Sequence, residues 1–130
     1  KEILLPENIY FVDQDGNKRR KVRVKWFISL FNKTYADAAF PYRKIIPDIP
    51  IPHEIIKDSQ PYPANDKPIF FGHYWLSEKE PSKLTDNVTC LDYSIANNGF
   101  LCAYRWNGEK KLNNKHFVMQ QGPAKNTNGS

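Results

Sequence analysis

The chain has 130 residues, the length of one ordinary domain, and 40% hydrophobic with 14% aromatic residues is enough for a real core. Its 10 prolines against 6 glycines exclude a largely helical chain, and a net charge of +5 favours anionic partners without choosing between phosphorylated metabolites and nucleic acid. No apolar run approaches the ~20 residues of a membrane helix, no secretory signal is present, and Cys90 and Cys102 lack the paired spacing of a zinc site. Two free, mostly buried thiols suit a reducing cytoplasm, and the lack of a long apolar run leads to no expected membrane partner. The chain starts at Lys1 and its only methionine is Met119, so a processed or excised piece is expected.

In chain order, Ile3-Leu4-Leu5 reads as an opening strand or linker stopped by Pro6, and Ile9 to Val12 as a short apolar strand. Asp15-Gly16 signals a hairpin, with a return strand over residues 18–28. There Val22, Val24, Trp26 and Ile28 alternate with Arg23, Lys25 and Phe27, the period of a half-buried antiparallel strand. The basic face, Lys21, Arg23 and Lys25, reads either as a weak anion-binding patch or as a solvated edge protected by charge. The solvated edge is favoured, because charged faces are mostly just solvated.

Residues 32–40 suggest one short helix rich in alanine, capped by Thr34 or Asn32 and ended by Pro41. Residues 41–68 hold 7 prolines and predict an extended crossing segment that covers the core with Ile49, Ile51, Ile55 and Ile56. His53 lies here and reads as a solvent-facing loop histidine. Next comes Pro68-Ile69-Phe70-Phe71-Gly72-His73-Tyr74-Trp75. The unbroken apolar run predicts a strand buried on both faces, with a sharp turn at Gly72. His73 at its mouth is either a metal ligand or a half-buried histidine wedged among aromatics, and the dipeptide alone favours the latter.

A polar loop follows. Residues 88–95 and 100–106 then predict a hairpin across Asn97-Asn98-Gly99 that sets Cys102 opposite about Ser94 and keeps the two sulfurs too far apart for a disulfide. Asp92, a carboxylate in mid-strand, needs a partner. Arg105 is the candidate for a structural ion pair; the alternative is that Asp92 orients a site residue from behind. Residues 115–119 form a last short strand and 121–130 a disordered tail. The expected fold is α+β, mainly β: short antiparallel strands forming part of a sandwich, one short helix and a proline-rich crossing, as a single domain over residues 1–120.

The run Pro68 to Trp75, Cys90-Leu91-Asp92-Tyr93-Ser94, Ala103-Tyr104-Arg105-Trp106 and Gly108-Glu109 resembles the C-terminal part of bacterial calcineurin-like metallophosphoesterases, which are similar to diadenosine tetraphosphatases and Ser/Thr protein phosphatases. Glu2-Ile3-Leu4-Leu5-Pro6, Asp15-Gly16, Arg23-Val24-Lys25-Trp26 and Asp48-Ile49-Pro50-Ile51-Pro52 extend the resemblance over about residues 1–118. It implies a phosphoesterase with two divalent metal ions (Mn, Fe, Ni or Zn), acting on a phosphoester or phosphoanhydride in a nucleotide polyphosphate or phosphoprotein. His73 stands where the family places a metal-ligating histidine; Asp92 and Arg105, read from the residues, would support it from behind. The family's Gly-Asp-x-His-Gly, Gly-Asp-x-x-Asp-Arg-Gly and Gly-Asn-His-Glu motifs do not occur here, and His53 and His116 stand in no matching motif. The expectation is therefore a portion inactive by itself, whose partner is an N-terminal catalytic half. The alternatives are a stand-alone basic β module that binds nucleic acid or an acidic partner, and a homo-oligomer formed through sheet edges.

Overall fold

Residues 1–123 are described in the computed structural model of the chain. The fold is α+β and mainly β, with strands gathered into four small sheets of two or three strands each. The chain divides into two compact units, Lys1–Pro63 and Ala64–Ser130.

In the first unit, β1 (Glu2–Leu4) pairs antiparallel with β4 (Lys21–Arg23), setting Ile3 opposite Val22. Between them, β2 (Phe11–Val12) and β3 (Lys18–Arg19) make the hairpin expected at Asp15-Gly16. Asp13 closes its loop, because Oδ1 accepts the N–H groups of Asp15 at 3.0 Å and Asn17 at 2.9 Å. Gly16 takes φ +81°, a conformation that a side chain would strain.

The return strand expected over residues 18–28 stops at Arg23. Beyond it the backbone is taken over by a neighbouring segment: Phe40 N–H donates to the Arg23 carbonyl, and Lys25 N–H to that of Ala38. The alternation then inverts. Phe27 is buried while Trp26 and Ile28 are half-buried, and Phe27 meets Trp26 and Phe40 edge to face.

The helix expected over residues 32–40 is a single turn, α1 (Tyr35–Ala38). Thr34 caps it reciprocally with Asp37, whereas Asn32 is left-handed (φ 56°) and lies outside it. Tyr35 is fully buried, and its hydroxyl donates to the Leu4 carbonyl at 2.7 Å, tying α1 to β1. The proline-rich segment covers the core as expected, with Ile51 and Ile56 buried in it and Ile49 and Ile55 packed against it. It also holds a second helical turn, α2 (His53–Ile56), which corrects the expectation of one helix. Pro52 sits at its N-cap, where the missing N–H costs nothing.

In the second unit, β5 (Ile69–Phe71) pairs with β6 (Val88–Cys90) in parallel, an exception among mostly antiparallel strands. A parallel pair needs a long crossover, and residues 72–87 supply it without a helix. All three β5 residues are half-buried; the strand buried throughout is β6.

The remaining strands are β7 (Asp92–Tyr93), β8 (Phe100–Tyr104) and β9 (Phe117–Gln121), an antiparallel sheet in that order. Thus the first arm of the hairpin expected over residues 88–95 is split between two sheets. Its register also differs, with Asp92 opposite Leu101 and Tyr93 opposite Phe100, so Cys102 does not face Ser94. Gly99 is obligatory at the turn, because a Cβ there would stand 1.7 Å from the Tyr93 carbonyl oxygen. Both cysteines are free and buried, and burial pushes the Cys102 thiol up to about 11. The last strand runs to Gln121, two residues beyond the expected end; of the tail expected over 121–130, residues 124–130 lie outside the described residues.

Removing the Tyr35 hydroxyl (Tyr35→Phe) should cost about 1 kcal/mol, the net value of one hydrogen bond. Val24→Ala, at a position with no exposure, should cost about 2 kcal/mol from lost burial and the cavity left behind. Urea unfolding of both variants checks the order; a larger loss in Tyr35→Phe would make the tie to β1 the dominant contribution.

Candidate metal-ligand loop

The crossover that leaves β5 begins with Gly72, His73, Tyr74 and Trp75. Here the left-handed backbone falls on His73 (φ 77°) and Trp75 (φ 52°), not on Gly72. A Cβ at Gly72 would make an ordinary 3.7 Å contact with the Asp92 Cβ, so the sharp turn expected at the glycine is made by its neighbours. Histidine tolerates this region better than branched residues do, but still at a cost of about 1 kcal/mol.

Asp92 holds that conformation. Its carboxylate accepts the Trp75 N–H through Oδ2 and the Ser94 N–H through Oδ1, each at 3.2 Å. Its carbonyl accepts the Leu76 N–H at 3.0 Å, and the Ser94 hydroxyl returns a bond to the Leu76 carbonyl at 2.9 Å. Leu76 itself is buried. The loop is therefore pinned to β7 immediately after His73. The His73 ring is exposed, not wedged, with the half-buried Tyr74 ring 6.5 Å away at a steep angle. His73 and Asp92 line one open cavity of about 460 Å³ together with Gly72 and the apolar Phe70, Phe71 and Leu91.

The ion pair expected between Asp92 and Arg105 does not form. Leu101 stands opposite Asp92, and Arg105 lies four residues further along the chain, ~13 Å of strand. Arg105 is exposed and its backbone N–H donates to the His116 carbonyl at 3.0 Å. Asp92 thus orients the loop that carries His73, and Arg105 has no part in it. His53 lies exposed at the first position of α2.

As a metal site this loop supplies one unobstructed imidazole and one carboxylate whose oxygens already receive backbone donors. No group of three or more metal-ligating side chains occurs among the described residues. Four donors are usual for a closed site and three for a catalytic one, so these residues do not by themselves fit a metal pair.

The basic face is also rearranged. Lys21 and Arg23 are exposed on β4, but the Lys25 ammonium donates to the Asp37 carbonyl at 3.0 Å, at the end of α1. Arg19 and Arg43, unmarked by the strand alternation, line a cavity with Lys21 and Arg23 instead.

A second cluster escaped the sequence pattern altogether. The Tyr104 hydroxyl donates to Glu109 Oε1 at 2.6 Å and accepts the Asn113 N–H at 2.8 Å. His116 Nδ1 lies 2.9 Å from the same Glu109 oxygen, and Asn107 N–H donates to Oε2 at 2.7 Å. The spacing of 104, 109 and 116 follows no helical or strand period, because a turn and a 3₁₀ segment bring them together. These donors, the Tyr104 hydroxyl first, hold the Glu109 carboxyl down at about 2.

A carboxyl with a lowered native pKa contributes stability that is complete above its unfolded value and lost as pH falls through the native one. Here that window runs from 4.5 down to about 2. Glu109→Gln should flatten the acid arm of a stability–pH profile in that window. A profile displaced without flattening would assign the acid sensitivity to other carboxyls. The chain matches no protein-family model, and no curated protein or solved structure is significantly similar to it.

Proposed function

We propose that this chain is the C-terminal portion of a cytoplasmic, metal-dependent phosphoesterase of the calcineurin-like kind, to which it contributes the metal-ligating imidazole of His73. The observation that carries this reading is the placement of His73: exposed, directly beyond a core strand, on a backbone held left-handed by Asp92, at an open cavity. Preorganisation of that type is what a metal ligand requires, because a loose ring would lose entropy on every binding event.

The substrate class that fits is a phosphoester or phosphoanhydride, carried by a nucleotide polyphosphate or a phosphoprotein. A pair of divalent ions, when bound, polarises the phosphoryl group and generates the attacking hydroxide. The part of this chain is to present the imidazole, with Asp92 pinning the backbone beyond it through the Trp75 amide. The remaining ligands would come from the N-terminal half of the enzyme, since these 130 residues contain none of the family's other ligand motifs. No helix among the described residues is long and apolar enough to cross a membrane.

Substoichiometric Mn²⁺ should broaden the His73 ring resonances before those of His53 and His116 in a histidine-resolved NMR spectrum. The chain alone, with micromolar manganese or nickel, should hydrolyse no p-nitrophenyl phosphate above blank. Selective broadening of His53 or His116 with His73 unchanged would remove His73 from the metal centre. Turnover by the chain alone would place a complete ligand set within it and overturn the assignment.

A further inference from the structure

The first unit carries a cavity of about 460 Å³, within the size range of small-ligand sites. Arg19 from β3, Lys21 and Arg23 from β4, and Arg43 from the segment after α1 all line it. Three separate stretches of chain therefore direct cationic side chains at one space, which strand alternation alone would not produce. The rest of the lining is mixed, with Phe11, Phe40 and Pro41 among its apolar members.

Two carboxylates also line the cavity. Asp13 is engaged by Arg19, whose Nε donates to Oδ2 at 2.7 Å. This fixes the guanidinium through one of its nitrogens while Asp13 is itself anchored by the hairpin loop. Glu2 stands opposite Arg23 across the β1–β4 pair and supplies an acceptor for ligand hydroxyls. Neither Lys21 nor Arg43 makes an ion pair among the described residues.

We infer that this cavity is a binding site for a phosphorylated small molecule with a planar apolar body, the chemistry of a mononucleotide. Lys21 and Arg43 bind the phosphate, the Asp13-held Arg19 and its neighbour Arg23 complete the cationic rim, and the apolar lining covers the base. The site lies within the first unit and does not involve His73, so it stands or falls independently of the metal-ligand assignment. A flat basic strand that tracked a nucleic-acid backbone would need repeated charges and exposed aromatics along its length; the cations here instead converge on one concavity.

Calorimetric titration of the full chain with ADP at 50 mM salt tests this. Binding is expected, with Lys21→Ala and Arg43→Ala each weakening it ~10-fold or more, as loss of a hydrogen bond to a charged group does. Lys25→Ala removes the same charge from a side chain bound to the Asp37 carbonyl and should change the affinity less than about two-fold. Inorganic phosphate should bind ~10-fold more weakly than ADP, which reports the apolar lining. Lys21→Arg should retain most of the affinity, separating charge loss from misfolding. No heat with ADP, or equal losses in Lys25→Ala and Lys21→Ala, would overturn the site. Equal affinity for phosphate and ADP would overturn the nucleotide class. A single-stranded 20-mer that binds far tighter than ADP, with a much steeper salt dependence, would replace a small-molecule site by a nucleic-acid surface.

Discussion

Asp92 holds the segment that follows β5 by both its side chain and its backbone. The carboxylate takes the amide of Trp75, the carbonyl takes that of Leu76, and Ser94, two residues on, closes the bracket through its hydroxyl. A parallel strand pair forces a long crossover, and a crossover without a helix has few internal partners for its backbone groups. Here those partners come from β7, and from Tyr93, whose hydroxyl accepts the Ser82 N–H at 3.1 Å further along the same loop. With the backbone fixed on both sides, two left-handed non-glycine residues separated by Tyr74 are tolerated, and one of them is the histidine that lines the cavity.

The first unit obeys the same rule of backbone competition. The strand begun at Lys21 ends where the chain leaving α1 takes over its hydrogen bonds, and the proline-rich segment satisfies the residues entering that helix. Tyr35 N–H donates to the Ile49 carbonyl and Ile51 N–H to that of Lys33, so a stretch that cannot form a central strand still serves as a one-sided edge. Charge then follows geometry. Lys25 is drawn to the carbonyl of Asp37 at the end of a helical turn, where a cation is favoured, and the cationic rim of the cavity is completed by arginines from elsewhere.

The two candidate sites therefore depend on opposite features. At His73 the chain offers one exposed imidazole next to a pinned backbone, the feature on which the proposed shared centre rests. In the first unit it offers several cations around a concavity with apolar and carboxylate neighbours, which is the basis for the inferred small-anion site. The Tyr104, Glu109 and His116 cluster is a third polar network, in which Glu109 is held by the Tyr104 hydroxyl, the Asn107 amide and His116 Nδ1.

Much of this was legible in the residues themselves. Asp15-Gly16 marked its hairpin, Thr34 its cap, the isoleucines their cover of the core, and the apolar run to Gly72 the strand that delivers His73. These signals are local: turn preferences, capping and hydrophobic patterning act within a few residues. What the chain order did not reveal was every feature set by a distant partner. The parallel pairing of β5 with β6, the shifted register that separates Asp92 from Arg105, the left-handed backbone at His73 and the convergence of Arg19 and Arg43 on Lys21 each depend on residues far apart in sequence. Local propensity fixes where an element begins and which face is apolar. Which backbone group it pairs with, and which side chains it meets, is decided only when remote segments compete for the same hydrogen bonds.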